Sequence, residues 1–120
     1  MTGAVPAYAR AMAYDEALAA RIRDLLAGEP DITEQRMFGG LAFLVGGRMS
    51  VAAVGRGGLM VRCEPARTEE LLQEPHAHPF EMRGKELSGW LEVDSGGLDD
   101  GALERWVGIG LDHARSLPPK

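Results

Sequence analysis

The chain has 120 residues, 45% of them hydrophobic and 26% charged, which describes one soluble globular domain able to bury about two thirds of its unfolded surface. Thirteen basic side chains against eighteen acidic ones leave a net charge of −5, which opposes the sequence-independent grip on phosphates that most nucleic-acid binders use. The single cysteine, Cys63, excludes an internal disulfide, and no apolar run approaches the ~20 residues of a spanning helix, so a cytoplasmic protein without membrane contact is expected.

Residues 1–13 are small and bland, carry no signal-peptide pattern, and read as an N-terminal extension, frayed or a helical lead-in. A single domain is expected over 14–120, since no linker, repeat or low-complexity tract divides it. Tyr14, Leu18, Ile22, Leu25 and Leu26 recur at spacings of three and four, and Gly28 with Pro30 ends the pattern. This predicts an amphipathic first helix. From about Thr33 to Cys63 the chain reads as four strands: an entry strand to Phe38, then 41–45, 48–54 and 59–63. Gly46-Gly47 supplies positive φ at both central positions of a tight two-residue turn, and Gly55-Arg56-Gly57-Gly58 a longer one.

Pro65 opens and Pro75 closes a short middle helix carrying Leu71 and Leu72. Phe80–Arg83 and Trp90–Val93 read as a further strand pair joined through Gly84–Gly89. Leu103, Trp106, Val107, Gly110, Leu111, Ala114 and Leu117 then mark one face of a C-terminal helix, with Asp99 and Asp100 at its positive end and Pro118 past its last turn. The expected fold is α+β: a mainly antiparallel β-meander sheet with an N-terminal helix, a short middle helix and a C-terminal helix.

Alternation sorts the meander into two faces. One presents Leu41, Phe43, Val45, Met49, Val51, Ala53, Leu59 and Val61; the other presents Ala42, Leu44, Ser50, Ala52, Val54 and Met60. The second face is also apolar, so it is either covered by the terminal helices or used as an interface, with a homodimer or a protein partner docked on it. Between Gln35 and Cys63 the charged residues are Arg36, Arg48, Arg56 and Arg62, without an Asp or Glu. That segment reads as a solvated basic sheet region or as a contact for an anion, a nucleic acid or an acidic protein.

Chemical signatures are sparse. The glycine pairs match no phosphate-loop spacing and lead into strands, not helix N-termini. His76-Ala77-His78 would set two imidazoles on one side of an extended segment, but no third and fourth ligand follows at a metal-site spacing, so no metal or cofactor is expected. Ser50 and Ser88 lack a nucleophile elbow, Cys63 reads as a buried small hydrophobe, and no carboxylate pair is identifiable as acid and base. Trp106 reads as core and Trp90 as partly exposed.

The run Arg36-Met37-Phe38-Gly39-Gly40-Leu41-Ala42-Phe43-Leu44-Val45-Gly46-Gly47-Arg48-Met49, followed by Gly58-Leu59-Met60-Val61-Arg62, Pro79-Phe80-Glu81-Met82-Arg83-Gly84, Gly89-Trp90-Leu91-Glu92-Val93 and Leu103-Glu104-Arg105-Trp106-Val107, resembles the TfoX/Sxy N-terminal domain family, over roughly Tyr14 to Lys120. The resemblance implies a stand-alone domain, without the helical second domain that follows it in the competence regulators, where the whole acts as a transcription coactivator with the cAMP receptor protein. It transfers no catalytic residue. Met37, Phe38, Gly39, Gly40, Gly46, Gly47, Gly84, Gly89, Trp90 and Trp106 read as architectural. The expected function is a non-enzymatic regulatory or protein-interaction module, its surface formed by Leu44, Ala52, Val54 and Met60 with Arg36, Arg48, Arg56 and Arg62 nearby; transcription machinery is the implied partner. Direct binding of nucleic acid or a small anion through the arginines is the alternative, and an unrecognised enzyme a third.

Overall fold

The computed structural model describes residues 15–37, 39–54, 57–82 and 84–118. Helix α1 covers Glu16–Leu25; Asp15 caps it, its carboxylate accepting from the Leu18 N–H at 3.1 Å. Strands β1 (Ile32–Met37), β2 (Gly40–Val45), β3 (Arg48–Ala53) and β4 (Leu59–Arg62) follow as the expected meander. A 3₁₀ turn at Pro65–Arg67 runs into the one-turn helix α2 (Thr68–Leu71). Strands β5 (Ala77–Met82) and β6 (Lys85–Val93) form a hairpin, and helix α3 (Asp100–Ser116) closes the described chain. The residues expected as an extension (1–13), with Tyr14, Phe38, Gly55, Arg56 and Arg83, lie outside the described residues.

All six strands form one antiparallel sheet in the order β1-β2-β3-β4-β6-β5. The fold is therefore α+β, as the residue pattern predicts. Helices α1, α2 and α3 place their buried residues on one side: Leu18, Ile22, Leu71, Leu103, Trp106 and Val107 join Phe43, Val51, Leu59, Val61, Leu91 and Val93 in the main core. Gly110 lets α3 approach the sheet backbone, since a Cβ there would stand 2.6 Å from the Ser50 carbonyl oxygen. Asp99 caps α3 through the Ala102 N–H at 2.8 Å. Among the contacts that tether the helices are Arg21 to the Leu98 carbonyl, Arg105 to Glu74 and Arg115 to Glu29, and Arg48 bonds the Pro118 carbonyl just past α3.

Three sequence expectations change in detail. Residues 84–89 are not a connecting loop: β6 begins at Lys85, and Gly84, at φ +79°, belongs to a tight turn. Lys85 and Glu86 pair with Met82 and Glu81 of β5, beyond the edge of β4, so the polar run that suggests a loop begins as the solvated end of a hairpin. Met49 moves to the second face. Phe43 opposes Val51 but Leu44 opposes Met49, which leaves Ser50 as an extra residue in β3 and shifts the alternation by one. The Ser50 hydroxyl, buried at this bulge, donates to the Phe43 carbonyl at 2.7 Å. Finally, His76 and His78 do not share a side of one strand. His76 takes φ +69° in the turn before β5, against Gly96 and Gly97, whereas His78 lies in the strand, 2.7 Å from the Asp94 carboxylate.

Candidate functional site

On the side of the sheet away from the described helices, Ala42, Met49, Ala52, Val54, Met60 and Phe80 form a second buried cluster. Ala52 and Met60 are fully buried and Val54 nearly so, which makes them the floor of this face instead of its outer surface. Its accessible part is a half-buried rim of Met37, Leu44, Leu87 and Trp90. The bulge at Ser50 is what brings Met49 under Leu44. The Phe80 and Trp90 rings meet at 6.4 Å between centroids, tilted by 32°, and the Arg62 guanidinium lies 5.2 Å from the Trp90 ring centroid. An arginine over an indole is held by the ring quadrupole and leaves its N–H fork available for a carboxylate.

The sheet register separates the arginines. Arg36 opposes Leu41, which opposes Ala53, so Arg36 stands level with the end of β3. Arg48 begins β3, and Arg62, one residue past the Val51–Val61 pair, stands near it. Five residues of strand, roughly 16 Å, divide Arg36 from Arg48. Arg36 shares the face of Leu41, and Arg48 bonds the Pro118 carbonyl near the end of α3; Arg62 shares the Trp90 face. Arg56 is outside the described residues, and the other three do not converge on one patch.

A polar cleft of about 490 Å³ was not signalled by the sequence. It is lined by Gly58, His78, Pro79, Glu81, Gly84, Glu92, Asp94 and Ser95. Register creates it, because His78 and Glu92 face each other across β5 and β6, fourteen positions apart in a chain without a motif linking them. Among the described residues no group of three His, Cys, Asp or Glu side chains is placed to hold a metal ion. Cys63 is buried, and burial pushes its thiol pKa up despite the Thr68 hydroxyl at 4.0 Å. Thr68 in turn donates to the Pro65 carbonyl and accepts from the Gly89 N–H, both at 2.8 Å, and so fastens α2 to β6.

The motif glycines have concrete positions. Gly39 (φ +69°) turns β1 into β2, Gly46 and Gly47 (φ +59° and +83°) make the β2–β3 turn, and a Cβ at Gly40 would land on the Ala53 carbonyl. Trp106 is buried among core residues of α3 and the sheet. No helix among the described residues is long and apolar enough to cross a membrane.

No curated protein matches the chain. A family model, described as the TfoX N-terminal domain, matches residues 24–114, a span from the last turn of α1 through the whole sheet to nearly the end of α3. By that match the chain belongs to the TfoX N-terminal domain family.

Proposed function

We propose that this domain is a non-enzymatic regulatory adaptor whose contact surface is the rim of the second sheet face, Met37, Leu44, Leu87 and Trp90, with Arg62 at its border. The observation that carries the reading is the one-sided placement of the described helices: the main core is complete beneath them, while a second apolar cluster with a half-buried rim occupies the opposite face. An apolar rim with an arginine held on an aromatic suits a protein partner that brings an apolar anchor and a carboxylate. Family membership supports a regulatory or interaction role, and the resemblance to competence coactivators points to transcription proteins in the cytoplasm.

The separation of Arg36 from Arg48 and Arg62 supports a protein contact over a nucleic-acid groove, which would want cations along one track. The test is capture from nuclease-treated bacterial lysate on the tagged domain, with Leu44→Glu as control. Transcription proteins retained by the parent and lost by a folded Leu44→Glu variant are the expected result. Equal retention by both, or retention abolished by nuclease with a steep salt dependence, overturns it.

A further inference from the structure

The sheet has two edges, and they differ. β5 carries Pro79, which has no N–H, and its pairing with β6 is irregular between Pro79 and Glu81. β1 is six residues of regular strand whose four central residues, Thr33, Glu34, Gln35 and Arg36, are exposed, and among the described residues no strand lies on its outer side. An exposed edge of this kind pairs with another strand unless its side chains forbid it.

Hydrogen-bond parity fixes which backbone groups point outward. Met37 and Gly40 oppose each other where β1 passes into β2, and the pair closing so tight a connection is hydrogen-bonded. Alternation then makes Met37, Gln35 and Thr33 the residues that bond β2, and the Gly46 N–H donating to the Asp31 carbonyl at 2.9 Å continues the same phase. Ile32, Glu34 and Arg36 therefore aim their N–H and C=O groups away from the sheet.

A second copy of the same strand, antiparallel across a two-fold axis, must set these outward residues opposite one another. Centred on Glu34, the pairing opposes glutamate to glutamate; centred on Arg36, arginine to arginine; centred on Thr33, it leaves Arg36 facing Pro30, outside the strand. Centred on Gln35, it sets Glu34 opposite Arg36 twice, each pair exchanging two backbone hydrogen bonds with opposite charges adjacent. On the other face Thr33 then opposes Met37, and Gln35 opposes its own copy. Charges on an edge strand usually deter pairing, but the alternation Glu34-Gln35-Arg36 is complementary to itself. Arg23, bonded to Glu34 at 2.6 and 2.9 Å, already orders that carboxylate on the helix side of the sheet.

We infer that two copies of this chain associate through antiparallel β1–β1 pairing centred on Gln35, continuing the sheet from one molecule into the next. The pairing does not rest on the partner proposed for the Trp90 rim, although Met37 belongs both to that rim and to the paired strand. It is tested by light scattering on the full chain over a dilution series. The parent is expected to approach twice its 12.9 kDa mass with rising concentration. Glu34→Arg alone and Arg36→Glu alone oppose like charges and are expected to remain monomeric, and the double exchange Glu34→Arg, Arg36→Glu to restore the dimer. A parent that is monomeric throughout overturns the pairing, as do single variants that still dimerise or a folded double variant that does not. Should a single variant lose its fold, hydrogen exchange of the parent decides: the Glu34 and Arg36 amides are expected to slow as concentration rises, and concentration-independent exchange overturns the inference.

Discussion

At the scale of single residues, the clearest demands are steric. Gly39 and Gly40 are adjacent, yet they are required for different reasons: Gly39 for its positive φ, with open space where a Cβ would go, and Gly40 because a Cβ would collide with backbone of the neighbouring strand. Backbone cannot swing aside as a flexible side chain can. Gly40→Ala is therefore expected to cost more than Gly39→Ala, about 2–3 kcal/mol against about 1 kcal/mol, the first as overpacking and the second as left-handed strain. Urea denaturation of the two variants checks this ordering, and equal midpoints would contradict the steric account. The chain itself shows only that a glycine pair precedes an apolar strand. Which glycine serves the turn and which the close approach depends on Ala53, thirteen positions on, and no local pattern could reveal it.

At the scale of elements, α3 illustrates what periodicity conveys and what it does not. Its stripe of Leu103, Trp106, Val107, Gly110 and Ala114 is buried in the spacing the sequence predicts, and Asp99 is its cap. His113 gives no such signal, because one imidazole near a helix end is ordinary. Burial, reinforced by the nearby Arg62 charge and only partly offset by Glu64, pushes its pKa below 6.5. A histidine held neutral in the fold takes up its proton more readily once unfolded, so its contribution is intact above 6.5 and is lost as pH falls below that value through the folded pKa. Thermal midpoints of the parent and His113→Gln, measured across this range, are expected to converge on acidification, the parent losing more. Parallel curves would remove His113 as the cause. Glu34, lowered chiefly by its hydrogen bond to Arg23, adds a loss of the same sign at more acidic pH. The strands divide likewise: β1 to β4 were legible from alternation and paired glycines, but the Ser50 bulge that sends Met49 to the other face was not. A bulge leaves composition unchanged and alters only the phase. For the same reason the second face could be recognised as apolar, while its division into the floor of Ala52, Val54 and Met60 and the rim of Leu44 and Trp90 could not.

For the whole molecule, the question is whether two clusters on opposite faces of one sheet unfold together. The main core contains Trp106 and the second cluster is bordered by Trp90, so each face carries its own fluorescent reporter. The clusters share strands, not side chains: β3 gives Val51 and Ala53 to one and Met49 and Ala52 to the other, β4 gives Leu59 and Val61 to one and Met60 to the other. A ladder of hydrogen bonds cannot dissolve for one face and persist for the other. The tethers from Arg115 to Glu29 and from Arg105 to Glu74 also bind α3 to segments at both ends of the sheet order. One cooperative transition is therefore expected, as for most single domains of this size. The single-tryptophan variants Trp90→Phe and Trp106→Phe isolate the two reporters. Trp106→Phe is expected to be the less stable, since it leaves a void in the main core, so midpoints are not compared between variants. Within each variant the fluorescence and far-ultraviolet dichroism curves in urea are expected to coincide. If Trp90 fluorescence in the Trp106→Phe chain changes well before the dichroism, the second face opens separately, and the rim proposed as a contact surface would then be a locally unstable element instead of a preformed one.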